Sequence, residues 1–325
     1  MKPALPAEVF VPARSRLLWL PVHLAVIAGG IVAFGHAPWI VWPLISLVIG
    51  ASMGGLAFVG HEALHGAIIR GRTAQRVVGW LGFLPFTLSP RLWIAWHNRS
   101  HHGHTNDPRR DPDLYPTLAQ YEASRTVRAI TRFALGGRRW LGAMSLLIGF
   151  SVQSAATFAR ASKTKLLDAR GRRVALAETA AGVAVWTAVA LLVGLKVFLF
   201  AYALPLVVAN VIVMGFIVTN HGLSPIGDTN DPLANSLTVT VPGWISFATL
   251  GFGYHVEHHV FPSVSARHGR AIQTALRARF GDRYQAMPLV TALRRLHATA
   301  RVYADETTLL DPRTGRTWRT LGAAS

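Results

Sequence analysis

Eight of the fourteen histidines in this 325-residue chain fall into three short clusters. His61 and His65 are spaced i, i+4; His97, His101 and His102 are spaced i, i+4, i+5; His255, His258 and His259 are spaced i, i+3, i+4. On a helix such spacings place the rings one turn apart on one face, so that each cluster aims at a point. Neutral imidazole is a metal ligand. Eight rings exceed the four that a tetrahedral zinc takes, so the pattern calls for two ions. Imidazole suits iron, copper, nickel and zinc alike, and spacing does not choose among them. Uncharged ligands would leave the ions electron-poor, which suits oxidation of strong C–H bonds by activated oxygen. Glu62, Asp111, Asp113 and Glu257 lie within or close to the clusters, placed to accept the other ring N–H of a ligand and fix its tautomer.

The elements that must carry these clusters are apolar. The chain is 51% hydrophobic, with a mean hydropathy of +0.33, a membrane composition. It has no cysteine, which excludes disulfides, thiolate metal sites and a chain-borne iron–sulfur cluster. Four runs suit membrane spans, at about 17–34, 39–60, 174–195 and 197–218. The first follows a short polar lead and is expected to be an uncleaved helix. The second runs directly into His61, and the last two form a hairpin around Lys196. Val77 to Ile94 is apolar but broken by Pro85, Pro90 and Arg91, and reads as a half-buried segment that does not cross. Trp140 to Ala159 carries Ser145, Ser151, Gln153, Ser154 and Thr157 and is expected to lie in the interface. Ala266 to Phe280 reads as an amphipathic helix against the membrane or the catalytic face. The expected fold is all-α, one domain over 1–325: a four-helix transmembrane bundle whose cap, 61–173 and 219–325, carries the histidines. Thr-Asn-Asp-Pro occurs at Thr105–Pro108 and again at Thr229–Pro232, too little to define a repeat.

With four spans, all three clusters and His221 fall on one side of the bilayer, and only then can they share a site. The charges agree: 32 of the 33 Lys and Arg residues lie on that side, Lys196 being the exception. The positive-inside bias names the side cytosolic, together with both termini. The net charge of +18 is therefore membrane-facing rather than a nucleic-acid footprint. The expected setting is a bacterial inner membrane.

The three clusters, together with Tyr254-His-Val-Glu-His-His-Val-Phe-Pro262, resemble the histidine boxes of the membrane fatty acid desaturase family, over about residues 40 to 270. The resemblance implies a di-iron centre at the cytosolic end of a four-helix bundle. It implies molecular oxygen as co-substrate, an external electron donor and a lipid chain as the substrate. It also implies a ninth ligand after the fourth span, matched by His221. Some members place an Asn one turn before that histidine; here that position is Ile217, and Asn220 is adjacent to His221. Asn210, Met214, Ile217 and His221 share one face of the fourth span. That face should look into the bundle and line a substrate tunnel, Asn210 serving as a substrate contact or a helix–helix tie.

Other readings stay open. His61-Glu62-Ala63-Leu64-His65 satisfies the H-E-x-x-H zinc protease pattern, although six clustered histidines would then be idle. A metal transporter would carry its ligands inside the spans. A lipid or carotenoid hydroxylase would use similar boxes. Making a double bond yields two electrons while oxygen takes four, so an oxygen-dependent desaturase needs two more from outside. The chain has no glycine-rich dinucleotide fingerprint after a strand and no spare histidine pair in a separate haem-binding domain. The donor is expected to be a ferredoxin or small b-type cytochrome, docking on Arg125 to Arg139 and Arg267 to Arg301.

Overall fold

A computed structural model describes residues 4–136, 139–161, 163–299 and 302–322. Arg138 and Arg301 of the two arginine-rich segments, and the outermost residues at both chain ends, lie outside these. The fold is predominantly helical. Helix α1 (Trp19–Ala33) and α2 (Trp42–Leu64) are the first two apolar runs, and α2 opens on Pro43, whose missing N–H suits a first turn. After α3 (Arg72–Phe83) the chain breaks and resumes as α4 (Pro90–Trp93), which continues into a π-helical stretch, Ile94–His101. The two halves are bent by 101°, as expected for a segment with prolines at 85 and 90. Side chains from later in the chain bond two carbonyls at the break. Trp186 Nε1–H donates to Leu84 O at 2.9 Å and Tyr202 O–H to Pro85 O at 3.0 Å, while Ser89 N-caps α4 and donates to Glu178.

Short helices α5 (Leu118–Ala123) and α6 (Arg125–Thr131) lead to α7 (Met144–Arg160). The last two apolar runs lie in α8 (Ala169–Phe198), which is kinked at Gly194, and, after the π-helical turn Leu199–Ala203, in α9 (Leu204–His221). They form the expected hairpin. Gly194 takes φ 78°, open to glycine without a Cβ penalty, and the chain reverses there. The reversal brings the rings of Trp186 and Tyr202 to 4.3 Å, whereas sixteen residues of straight helix would hold them about 24 Å apart. Lys196 at the apex stands over the Trp42 ring at the start of α2. Since α2 ends beside His65, the hairpin apex and the histidines occupy opposite ends of the bundle.

Ala7–Ala33, Trp39–Leu64 and Ala169–His221, which holds both of the last two runs, are helical stretches long and apolar enough to cross a membrane, and Trp140–Arg160 also meets that length and composition. Its polar residues face protein: Ser151 N–H donates to Asn210 Oδ1 at 3.1 Å, and Gln153 reaches Asp113.

The remainder forms the cap. It comprises α10 (Pro232–Asn235), β1 (Thr238–Thr240), α11 (Gly243–Ala248), α12 (His255–Val260), α13 (Gly269–Phe280), β2 (Ala286–Pro288) and α14 (Leu289–Ala298). Three short strands follow, β3 (Val302–Tyr303), β4 (Thr308–Leu310) and β5 (Thr317–Arg319), paired antiparallel in that order. Strands β1 and β2 pair in parallel, Thr238 beside Ala286. Ile272 and Leu276 of α13 pack on Val256, Val260 and Phe261, so this amphipathic helix seats against the helix that carries the third histidine cluster.

Candidate metal centre

The first cluster sits on the final turn of α2, the second on the π-helical stretch and the third on α12. The π-helical turn alters the geometry expected of the second cluster. His102 N–H bonds His97 O, five residues back, at 2.9 Å. This wider turn returns His102 over His97, and their Nε2 atoms are 3.2 Å apart.

Among the described residues the structure brings nine histidines together in two groups. His61, His65, His97 and His258 form one; His101, His221, His255 and His259 form the other, with potential ligand atoms inside each group within 4.8 Å. His102 joins the first group, its Nε2 lying 3.2 Å from that of His97 and 3.0 Å from that of His258. In the second group His255 Nε2 lies 2.7 Å from His221 Nε2 and 3.1 Å from His259 Nε2. His104 stands outside both groups.

The donor set fits metal ions. His221 Nδ1–H donates to the Asn235 carbonyl at 2.9 Å, which leaves Nε2 as a bare lone pair aimed at His255. His101 Nδ1 lies 3.1 Å from both oxygens of Asp111, which fixes the proton on Nδ1 and turns Nε2 toward the group. The buried His65 Nε2 has no hydrogen-bond partner in the protein. Converging lone pairs of this kind repel unless a cation sits between them. Burial pushes His102, His255, His258 and His259 well below the usual imidazole range, so they are neutral at neutral pH, the form in which imidazole can bind a metal. Burial pulls His101 the same way, but the Asp111 and Asp113 carboxylates outweigh it and hold the ring up at about 9. A metal at His101 must therefore displace the Nε2 proton, while Asp111 keeps the one on Nδ1.

The carboxylates divide their work differently from the expectation that each supports a histidine. Asp111 does hold His101, and also accepts Asn106 N–H at 2.8 Å and Asp113 N–H at 2.9 Å. Asp113 lies 3.6 Å from His101 Nδ1 and spends its Oδ1 on Trp96 and Gln153 instead. Glu62 bonds no histidine among the described residues. It accepts Ser265 O–H at 2.9 Å and Ala266 N–H at 2.7 Å, with Arg16 at 3.4 Å, and so ties α2 to the chain after the third cluster. Glu257 is turned away in the same manner, accepting from Thr238 and Tyr284. Asn220 is fully buried and its amide has no partner in the protein; its carbonyl accepts Leu237 N–H. Two supports escaped the sequence reading: the Asn235 carbonyl on His221, and Thr105 Oγ1, 3.3 Å from His259 Nδ1. The repeated tetrapeptide was their signal, for the Asn235 amide bonds the carbonyls of Thr105 and Thr229, the first residue of each copy.

A cavity of about 1080 Å³ opens on the metal groups. His61, His97, His101, His221 and His255 form its inner end. From there it runs between α6, α7 and α9 past Phe83, Phe150, Met214 and Ile217, and reaches Ile130, Phe133, Ile148 and Val152, which are exposed. Met214 and Ile217 line it. Asn210 does not: it is 1% exposed, accepts from Ser151 and donates to Ser151 Oγ and Leu206 O, a tie between α7 and α9.

A helical bundle of membrane-crossing length that holds two histidine groups beneath one apolar cavity defines a class of membrane metalloprotein. The description of fatty acid desaturase matches residues 37–290, and the chain belongs to that family. It is 23% identical over 293 residues to a chloroplastic omega-6 fatty acid desaturase of Spinacia oleracea, 86% of this chain and 63% of that protein. It is 24% identical over 291 residues to an sn-1 oleoyl-lipid 12-desaturase of Synechocystis, covering 85% and 80% of the two chains. Over 99 residues it is 34% identical to a dihydrorhizobitoxine desaturase of Bradyrhizobium elkanii, 30% of this chain and 28% of that protein. The chain thus spans less than two thirds of the spinach relative's length.

Proposed function

We propose that this protein desaturates the acyl chain of a membrane lipid, using two iron ions, molecular oxygen and electrons from a separate carrier. The observation that carries the reading is the apolar cavity, larger than the ~300–1,000 Å³ of ordinary ligand clefts, that ends on imidazoles of both metal groups. His61, His65, His97, His102 and His258 would hold one iron, and His101, His221, His255 and His259 the other. Bound there, the pair supplies the oxygen activation needed to remove two hydrogens from adjacent carbons. The protein's part is placement. Asp111 and Asn235 fix ring tautomers, and the cavity walls exclude water from the reacting carbons.

The balance is –CH2–CH2– plus oxygen, two electrons and two protons giving –CH=CH– and two waters. The donor would be a ferredoxin or b-type cytochrome, attracted by the arginine-rich segments on the cytosolic side. Nucleic acid has no part in this reading. An H-E-x-x-H protease needs Glu62 free to activate water, whereas Glu62 is engaged by Ser265 and Ala266. Lipid hydroxylation would use the same centre and differ in product.

Lipid profiling of a host expressing the protein, beside one expressing His101→Ala, tests the reading. New unsaturated chains should appear only with the native protein, and new hydroxylated chains would replace desaturation by hydroxylation. Purified protein should turn over with reductase and carrier, and not with NAD(P)H and oxygen alone.

A further inference from the structure

A chain sliding in an apolar cavity has no intrinsic stopping point, because hydrophobic contact is non-directional. Directional contacts in the wall must set the register. Asp113 Oδ1 accepts Trp96 Nε1–H at 2.6 Å and Gln153 Nε2–H at 2.6 Å, and all three side chains line the cavity. Trp96 is 2% exposed and immediately precedes His97. Gln153 lies on α7, the helix that forms the facing wall from Met144 to Arg160. One carboxylate therefore joins that wall to the segment carrying His97, His101 and His102.

Phe150 of α7 adds apolar contacts to Trp96 and to the chain just before it. It packs on Phe83, Phe86 and Trp96 at ring separations of 6.5, 4.8 and 6.3 Å, contacts that tolerate a small slide. Hydrogen bonds to a carboxylate are shorter and more strongly oriented. Moving α7 by one residue shifts its wall about 1.5 Å along the helix axis, about the length of one carbon–carbon bond. We infer that Gln153, through Asp113, is a positioning residue for regiospecificity: it holds the α7 wall in register with the histidines and so selects which carbon pair of the acyl chain meets the metals.

This inference rests on the acyl-desaturase reading, and the test separates the two. Gln153→Leu and Gln153→Met remove the N–H while keeping side-chain bulk. Each is expressed in the same lipid background as the native protein, and double-bond positions are determined by mass spectrometry of derivatised chains. The native protein should give one dominant positional isomer, and both variants should raise the share of neighbouring isomers at least fivefold. That share is measured on whatever product forms, so lower expression does not affect it. An unchanged isomer distribution in either variant, with or without a lower rate, overturns the inference. Loss of all product from both overturns it as well, making Gln153 a requirement of folding or chemistry rather than of placement. A native protein that makes no unsaturated product from any lipid would instead overturn the acyl-desaturase reading itself.

Discussion

The carbonyl of Asn235 accepts the Nδ1 proton of His221 at 2.9 Å, while its side-chain amide holds Thr105 and Thr229 at 2.8 and 3.0 Å. A histidine on the last membrane helix is thereby oriented by a residue whose own position depends on two distant loops. Supports of this kind are worth about 10–100-fold in metal affinity. Asn235→Ala keeps that carbonyl but cuts its ties to Thr105 and Thr229, so it should weaken one of two ions by less than that factor, and His221→Ala should halve the iron retained. Elemental analysis during chelator titration measures both. Two ions held as tightly in His221→Ala as in the native protein would show that His221 is not a ligand.

Glu62 should behave as a structural tie. Glu62→Ala strands Ser265 and the Ala266 amide, and should cost about 1–3 kcal/mol. The loss appears as a lower thermal midpoint in detergent, together with looser iron. If stability and iron binding are untouched and only peptide hydrolysis disappears, Glu62 is the general base of a protease.

Helices α2 and α3 touch backbone to backbone just before His61. A Cβ added at Gly82 would meet Gly60 Cα at 2.6 Å, Gly60 N at 2.7 Å and Leu56 O at 2.7 Å, none of which can rotate away. Gly82→Ala should destabilise by about 1–3 kcal/mol and lower iron occupancy. Gly243→Ala, with nothing within 4 Å, should stay within about 0.5 kcal/mol of the native protein. Equal midpoints for the two variants would contradict the close approach.

Because the chain lacks cysteine, single cysteines report its topology cleanly. Arg110→Cys and a cysteine appended after Ser325 should react with a membrane-impermeant thiol reagent from the cytosolic side, and Lys196→Cys from the opposite side. Opposite labelling of the first two would make α7 a fifth crossing.

The local part of this architecture was readable in advance. Histidines four residues apart on a span end, a hairpin around Lys196 and a proline-broken segment are written in adjacent residues. What was not readable depends on contacts across the chain. Glu62 and Glu257 sit beside ligands in sequence, yet helix rotation turns both toward Ser265 and Tyr284. The π-helical turn at 94–101 follows from packing rather than from any spacing rule, and it decides where His102 points. In sequence Gln153 is only polarity in an interfacial helix, because nothing near it identifies Asp113 as its partner. Strands β3 to β5 were missed because runs of two or three residues are too short for a period-2 pattern.

The match to the fatty acid desaturase family ends at residue 290, but the hydrogen bonds do not. Tyr303 donates its N–H to Pro116 O at 3.0 Å and its O–H to Ser224 O at 2.8 Å. Leu321 N–H reaches Leu223 O at 2.8 Å, and Ile226 N–H reaches Glu306 O at 2.9 Å. Residues 302–322 thus staple the turn after His221 to the rim of the cavity without supplying a ligand. A shortened protein ending at 290 would keep all nine histidines and lose these four bonds. It should be the first form to fall to proteases, with the His221 turn its earliest exposed site.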